Sequence, residues 1–232
     1  MLSACSFSAV PADPETAPDG GTSLTSDAST QFVGCHVQDT SLRLCLDFED
    51  PALSPVVRDG SSFGHDATIE NLAPMTRAGE QAAMFGSSSQ ATIHGTPDFA
   101  AQKLSIEAWI QTDNVWTDSW ALHDGLYYGL GIAGGSFVCA IGDKLASADA
   151  THYTGQWTHL ACTNDGDHLA LYINGAAVDC TDGFTVKATD DLSVGDNLDG
   201  GLDNVRLYAA ALAPADVCAH AGRSGCAAGC AE

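Results

Sequence analysis

Residues 156–175 read QWTHLACTNDGDHLALYING. A strand opens at Trp157 and runs to Thr163. Asn164-Asp165-Gly166-Asp167 forms a turn, in which Gly166 is free to take a positive φ. A second strand follows, with Leu169, Leu171 and Ile173 alternating with Ala170 and Tyr172. Asn174-Gly175 is a strong two-residue hairpin signal, and Ala176–Cys180 returns beside 169–173. Three antiparallel strands are thus specified locally. Their Leu/Ile face needs a second layer to cover it.

Outward from this stretch the same alternation recurs. Leu42, Leu44, Leu46 and Phe48 alternate with Arg43, Cys45 and Asp47. Leu104–Ile110 sets Leu104, Ile106, Ala108 and Ile110 on one face and Ser105, Glu107 and Trp109 on the other. Ala91–His94, Leu192–Gly195 and Val205–Tyr208 read as short strands, and Tyr127–Ile132 pairs with Ser136–Ile141 around Gly134-Gly135. Pro214–His220 reads as one or two helical turns with Pro214 near the first position. No repeat and no sustained helical period occur. The reading is an all-β fold: two antiparallel sheets packed as a sandwich.

The chain of 232 residues is long enough for one large all-β domain. With 8 basic and 30 acidic residues it carries a net charge of −22. That charge opposes binding to nucleic acid or an anionic membrane surface and leaves calcium, cationic partners and neutral glycans open. No apolar run approaches the length of a membrane-spanning helix. Nine cysteines with no C-x-x-C spacing point to a disulfide framework in an oxidising compartment.

Leu2-Ser3-Ala4-Cys5 resembles a bacterial lipobox. The basic and apolar segments that normally precede one are missing after Met1, so the expectation is a trimmed start with Cys5 as the lipidated residue. Setting Cys5 aside leaves eight cysteines, an even number. Ser6 resembles the choice that permits sorting to the outer membrane. The expected location is the cell envelope, as an outer-membrane lipoprotein, or outside the cell. Membrane contact would come only through that anchor. Residues 6–31 are rich in Pro, Ser, Thr, Gly, Ala and Asp and read, with the lipobox, as a disordered tether over 1–31. The domain spans 32–222, and 223–232 is a tail carrying Cys226 and Cys230.

Several stretches carry a family resemblance in co-linear order: LCLDFED (44–50), RDGSSFGHD (58–66), AMFGSSSQATIHGTPDF (83–99), LSIEAWIQT (104–112), the 156–175 hairpin and GGLDNVRLYAAALAPADVCA (200–219). Over roughly residues 42–221 the chain resembles laminin-G-like jelly-roll domains of the concanavalin A-like lectin/glucanase superfamily. The resemblance implies a jelly-roll sandwich. It also implies a structural calcium ion where the first strand, the following loop and the last strand converge, matching Glu49, Asp59 and Asp203. Calcium takes six to eight oxygens, which these carboxylates and loop carbonyls would supply. The loop Asp59-Gly60-Ser61-Ser62-Phe63-Gly64 departs from the common Asp-Ser-Ser-Gly pattern.

Hydrolases on this superfold usually present paired carboxylates on one strand, one as acid and one as nucleophile or base. Here Glu107 is the one glutamate inside a strand read from alternation, and its same-face neighbours are Ser105 and Trp109. Glu107 is therefore read as a polar residue on an exposed sheet face. His159 is read as making a core or sheet-surface hydrogen bond. No His-Glu-x-x-His, Gly-x-Ser-x-Gly or phosphate-binding loop occurs.

Trp109 and Trp157 fall in strands and are read as packing anchors. Trp116 and Trp120 fall in a polar stretch, Asn114–Gly125, read as a loop at the rim of the sandwich. Loop aromatics stack on sugar rings and also anchor protein interfaces. The expected binding edge is Asn114, Trp116, Asp118, Trp120 and His123, with Asp124 nearby and Tyr128 from the next strand. Tyr127 and Tyr128 point to opposite faces, so only one can join it. The expected function is a non-catalytic envelope module that binds a glycan or a cell-surface protein. A glycoside hydrolase on the same fold and a purely structural envelope component are the alternatives. Among the cysteines, Cys139 and Cys162 are expected to pair, as neighbours within one sheet. Cys226 is expected to close on Cys218 or Cys230.

Overall fold

The structure is a computed structural model. It describes residues 35, 38–49, 55–86, 88–125, 127–184, 186, 190–226, 229 and 230. Cys5 and the 6–31 tether lie outside them. In chain order the strands are β1 (Leu42–Leu46), β2 (Val56–Val57), β3 (Ala67–Glu70), β4 (Ala73–Arg77), β5 (Glu80–Phe85) and β6 (Gln90–Ile93). There follow β7 (Leu104–Thr112), β8 (Ser119–Asp124), β9 (Tyr128–Ala133), β10 (Ser136–Ile141) and β11 (Lys144–Asp149). The last are β12 (Thr158–Asn164), β13 (His168–Ile173), β14 (Ala176–Asp182), β15 (Leu192–Asp196) and β16 (Gly200–Tyr208), before the helix α1 (Pro214–His220).

Two antiparallel sheets of eight strands result. The first runs β14-β13-β12-β7-β16-β5-β4, with β1 also on β16. The second runs β11-β10-β9-β8-β15-β6-β3-β2. The hairpin at Asn174-Gly175 forms as read: φ is 50° at Asn174 and 80° at Gly175, both in the left-handed region that this two-residue turn requires. Asn174 reinforces it, accepting the His159 N–H on Oδ1 (3.1 Å) while its own N–H reaches the His159 carbonyl (2.7 Å). The alternation in β7 also holds. Leu104, Ile106, Ala108 and Ile110 are all buried in the core between the sheets. Each fully buried side chain of Leu or Ile size stabilises the fold by roughly 1.5–3 kcal/mol.

Four disulfides join cysteines among the described residues: Cys35–Cys45, Cys139–Cys162, Cys180–Cys230 and Cys218–Cys226. The Cys139–Cys162 pair forms as expected, but for a different reason. Cys139 is on β10 and Cys162 on β12, so the bond crosses the core and ties one sheet to the other. Cys226 closes on Cys218, and Cys230 instead fastens the tail to β14 through Cys180. Helix α1 lies on the outer face of the first sheet, where Val217 packs with Ala161, Ala170 and Tyr172.

Candidate functional site

The stretch read as a loop from Asn114 to Gly125 is a loop only in its first half. Ser119–Asp124 is the strand β8, at the centre of the second sheet, paired with β9 and β15. Its register against β9 shifts between Trp120 and Leu122. The shift matters because side chains on a regular strand change face at every residue. With Leu122 packed in the core, the irregularity puts Trp120 and His123 on the same, outward face despite their odd spacing.

Trp120 faces Gly131 and His123 faces Gly129 across the β8–β9 ladder. The half-buried indole lies over these two glycines: a Cβ at residue 129 would fall 2.8 Å from two of its ring atoms, and one at 131 would fall 3.0 Å from one. Leu130 and Ile132 alternate with the glycines and face the core. His123 packs against the indole at 5.7 Å and its Nε2 lies 3.2 Å from Asp196 Oδ2 on β15. A shallow cavity of about 190 Å³ is bordered by Trp120, His123, Tyr127, Gly129, Ala140 and Gly142. It is an aromatic platform with polar groups at its margin.

Tyr128 also borders this cavity, but it turns its ring away from the outward face. Its side chain is buried in the core and its hydroxyl points to the Phe99 carbonyl at 3.5 Å. Burial, with the charge of Asp124 adding to it, pushes its pKa up. Only one of the two tyrosines faces outward, and it is Tyr127, which is 37% exposed. Asp124 is likewise turned in and fully buried. Its Oδ1 accepts the Asp190 N–H (3.0 Å) and its Oδ2 meets no hydrogen-bond partner among the described residues. Burial pushes its pKa up to about 6, with the Asp190 charge adding to the rise and the Asp190 N–H opposing it.

Asn114 and Asp118 have structural duties at the rim. Asn114 Oδ1 accepts the Trp116 N–H (3.1 Å), and its Nδ2 donates to Thr117 (2.8 Å). Asp118 Oδ1 accepts the Gly134 N–H (3.0 Å), and the Gly135 N–H reaches the Val115 carbonyl (3.1 Å). These bonds clamp the loop to the β9–β10 turn, and the Trp116 ring stands against Gly135 with 71% of the residue exposed.

The opposite face of the sandwich corrects the reading of Glu107. It is not exposed: it is 1% accessible. His220, at the end of α1, approaches Glu107 Oε2 at 2.7 Å through Nδ1. His159 Nε2 lies 3.7 Å from Oε1, too far for the hydrogen bond expected of it. Burial alone would push Glu107 up. The His220 hydrogen bond and the nearby charges of His159, His220 and Arg206 outweigh it, and the carboxyl is held below its ordinary range. Burial pushes His159 down to about 4. The second buried carboxylate on this face, Asp203, takes Arg77 Nε at 2.6 Å. Burial pushes Asp203 up and Arg77 down, each offset in part by the other's charge. Arg77 lies 4.3 Å over the Trp109 ring, and Trp157 lies over Gly201, so both tryptophans pack as anticipated.

The three residues matched to a calcium site are not gathered into one ligand set. Asp203 is bound to Arg77. Asp59 accepts the N–H groups of Cys45, Ser61 and His65 and the Ser61 hydroxyl, ordering its own loop. Glu49 faces the Gln81 N–H at 3.5 Å. No group of three or more His, Cys, Asp or Glu side chains that could hold a metal occurs among the described residues.

Comparison with known proteins places these observations. No curated protein matches the chain. Among solved structures, the chain is similar to domain 4 of AbnA, a GH43 extracellular arabinanase from Geobacillus stearothermophilus in complex with arabinotriose. The identity is 20%, covering 78% of this chain and 98% of that one, with a TM-score of 0.63. It is also similar to the binding domain of botulinum neurotoxin DC in complex with SialylT, at 14% identity over 77% of this chain and 50% of that one, TM-score 0.58. The same toxin domain in complex with rat synaptotagmin II matches at 14% identity, 77% and 50% coverage and TM-score 0.59. This chain spans about half the length of the neurotoxin chains it matches. At these identities the likeness shows the fold alone. A family model does match, over residues 85–218. The chain belongs to the concanavalin A-like lectin/glucanases superfamily as a laminin-G-like domain.

Proposed function

We propose that the chain is a non-catalytic carbohydrate-binding module whose site is the outer face of the second sheet, centred on Trp120. The observation that carries this reading is the Trp120 indole seated on Gly129 and Gly131, with the hydrogen-bonded His123 and Asp196 at its edge. A sugar ring has an apolar face and a hydroxylated rim. An indole held against a rigid sheet accepts the first, and flanking imidazole and carboxylate groups accept the second. The solved arabinanase domain in complex with arabinotriose adds support from the same fold.

The non-catalytic part rests on the carboxylates. A glycosidase needs two of them free to flank a scissile bond, one with a raised pKa to act as acid. Glu107 is shut beneath α1 and held low by His220, and Asp203 is bound to Arg77. Envelope location rests separately on the Leu2–Cys5 stretch and is checked by metabolic labelling with a fatty-acid probe. The function itself is tested on a glycan array with the wild type and Trp120→Ala. The expected result is binding by the wild type and at least a tenfold loss, about 1.4 kcal/mol, in the variant. Equal binding by a variant with unchanged fold removes Trp120 from the site. Release of shorter sugars from a bound glycan contradicts the non-catalytic reading.

A further inference from the structure

The first sheet carries a cavity of its own on its outer face, where β7 ends and β16 begins. Its volume is about 220 Å³. The ladder sets Met84 on β5 opposite Gly201 on β16, and Gly201 opposite Gln111 on β7. Two strand steps of about 4.8 Å separate the Met84 and Gln111 positions, roughly 10 Å in all. Gly201 puts no side chain between them, so the row is a slot with β16 as its floor. A Cβ at 201 would fall 2.6 Å from Met75 Sδ and 2.6 Å from a ring atom of Trp157, which close over that floor.

One wall of the slot is apolar and flexible, made by Met75 and Met84. The other side offers acceptors. Gln111 Nε2 donates to the Gly155 carbonyl (2.8 Å), which orients the amide and leaves Oε1 as its acceptor end. That oxygen is buried and meets no hydrogen-bond partner among the described residues. Asp113, just after β7, and Asp199, just before β16, line the mouth and are exposed. Neither carboxylate makes a hydrogen bond or ion pair among the described residues. The mouth is itself held in place: Thr112 Oγ1 donates to the Asp199 carbonyl (2.7 Å), and the Gly155 N–H reaches the Thr112 carbonyl (2.8 Å). None of the described residues lining the cavity is Lys or Arg.

We propose that this slot binds an alkylammonium group, a primary ammonium on a flexible aliphatic stem, as carried by a lysine side chain or a free polyamine. The stem lies along Met75 and Met84, whose unbranched, polarizable side chains adapt to it. The ammonium has three N–H donors and no acceptor. Gln111 Oε1 takes one of them, and the carboxylates of Asp113 and Asp199 take the others as charge-assisted bonds. An anionic ligand would meet two carboxylates and no cation. The net charge of −22 draws cations toward the protein as a whole, and the slot selects among them. The chain's own N-terminal segment does not supply the cation, since residues 1–42 contain no Lys or Arg. The site lies on the opposite sheet from Trp120 and stands or falls separately from the glycan reading.

The test is an NMR titration of the full chain, following the Gly201 amide, the Gln111 side-chain amide and the methionine methyls. The probes are a doubly capped Gly-Lys-Gly peptide, the same peptide with acetyl-lysine or norleucine in place of lysine, cadaverine and spermidine. The proteins are wild type, Asp113→Asn/Asp199→Asn and Glu70→Gln/Asp182→Asn, each first checked for an unchanged melting temperature. The last removes the same charge elsewhere on the surface, so it controls for diffuse attraction to an acidic protein. The expected result is saturable shifts at Gly201, Gln111 and Met84 with the ammonium probes and none with acetyl-lysine or norleucine. Asp113→Asn/Asp199→Asn should weaken that binding at least fivefold and the control variant less than twofold. Tighter binding of the lysyl peptide assigns the slot to a protein partner, and tighter binding of cadaverine or spermidine assigns it to a free polyamine. No saturable shift at Gly201 and Gln111 with any ammonium overturns the proposal. So does equal binding of the norleucine peptide, or an equal loss in the two variants, which would mean diffuse attraction only.

Discussion

The Trp120 indole is seated on Gly129, whose absent Cβ would fall 2.8 Å from two of its ring atoms. A methyl group there meets only side chains, the indole and the His123 Cβ, so the ring must lift while the backbone stays in place. At Gly131 the same methyl group would fall 2.3 Å from the Ser119 carbonyl, which cannot yield without disturbing the ladder. Gly129→Ala is therefore expected to lower glycan affinity about tenfold, for a stability loss of only about 1 kcal/mol. Gly131→Ala is expected to lose more, about 2–3 kcal/mol. Thermal melts paired with calorimetric titrations separate the two.

Asp118 and Asn114 hold the rim loop to the β9–β10 turn instead of facing a ligand. Asp118→Ala frees the Gly134 N–H and is expected to cost about 1 kcal/mol. Affinity for the bound glycan should not change. A large affinity loss at unchanged stability would return Asp118 to the ligand-contacting set.

Asp124 makes stability depend on pH in an unusual direction. Its folded pKa, about 6, lies above the ordinary 3.8, so the folded protein holds this proton more tightly than the unfolded chain does. Its contribution to stability is therefore present below pH 4 and is lost as pH rises toward 6. Asp124→Asn keeps an acceptor for the Asp190 N–H and removes the buried charge. The variant is expected to exceed the wild type at pH 7.5 by at most about 3 kcal/mol, with the difference vanishing near pH 4. Chemical denaturation at several pH values measures it.

His159 acts in the opposite sense. It is held neutral, with a folded pKa of about 4 against an ordinary 6.5. Stability from this group is present above pH 6.5 and is lost as pH falls toward 4. His159→Gln is expected to flatten the acid limb of the stability profile relative to the wild type. An unchanged slope would mean that the ring charges without cost.

Much of this fold was legible because its information is local. Alternation in 104–112 and the Asn174-Gly175 turn each need only a few neighbouring residues, and both appear as read. The short strands β2 to β5 and the edge strand β11 were not recognised, since runs such as Val56–Val57 carry too few alternations to register. The site was harder. Trp120 was singled out, but its outward direction depends on an irregularity in the β8–β9 ladder that no residue type announces. Gly129 and Gly131, alternating with Leu130 and Ile132, were a signal available in the sequence for a floor on the outward face. Glu107 looked exposed because its cover, His220, comes from 113 residues further along the chain.

The bond between Cys139 and Cys162 ties the two sheets together through the core. The chain-entropy estimate for its 23-residue separation is about 3.4 kcal/mol. A Cys139→Ala/Cys162→Ala variant should lose that amount plus a small packing term. Removing Cys218–Cys226, only 8 residues apart, should cost less, about 2.5 kcal/mol. Equal losses in denaturant melts would count against the chain-entropy reading.

The position of the binding face is tested most directly by titrating ¹⁵N-labelled protein with the best glycan from the array and following amide and indole resonances. The predicted result is that the largest shifts fall on the Trp120 indole N–H and the amides of His123, Gly129, Gly131 and Ser193. Shifts gathered around Glu107, Trp109 and α1 on the other sheet, with the Trp120 indole unmoved, would contradict it.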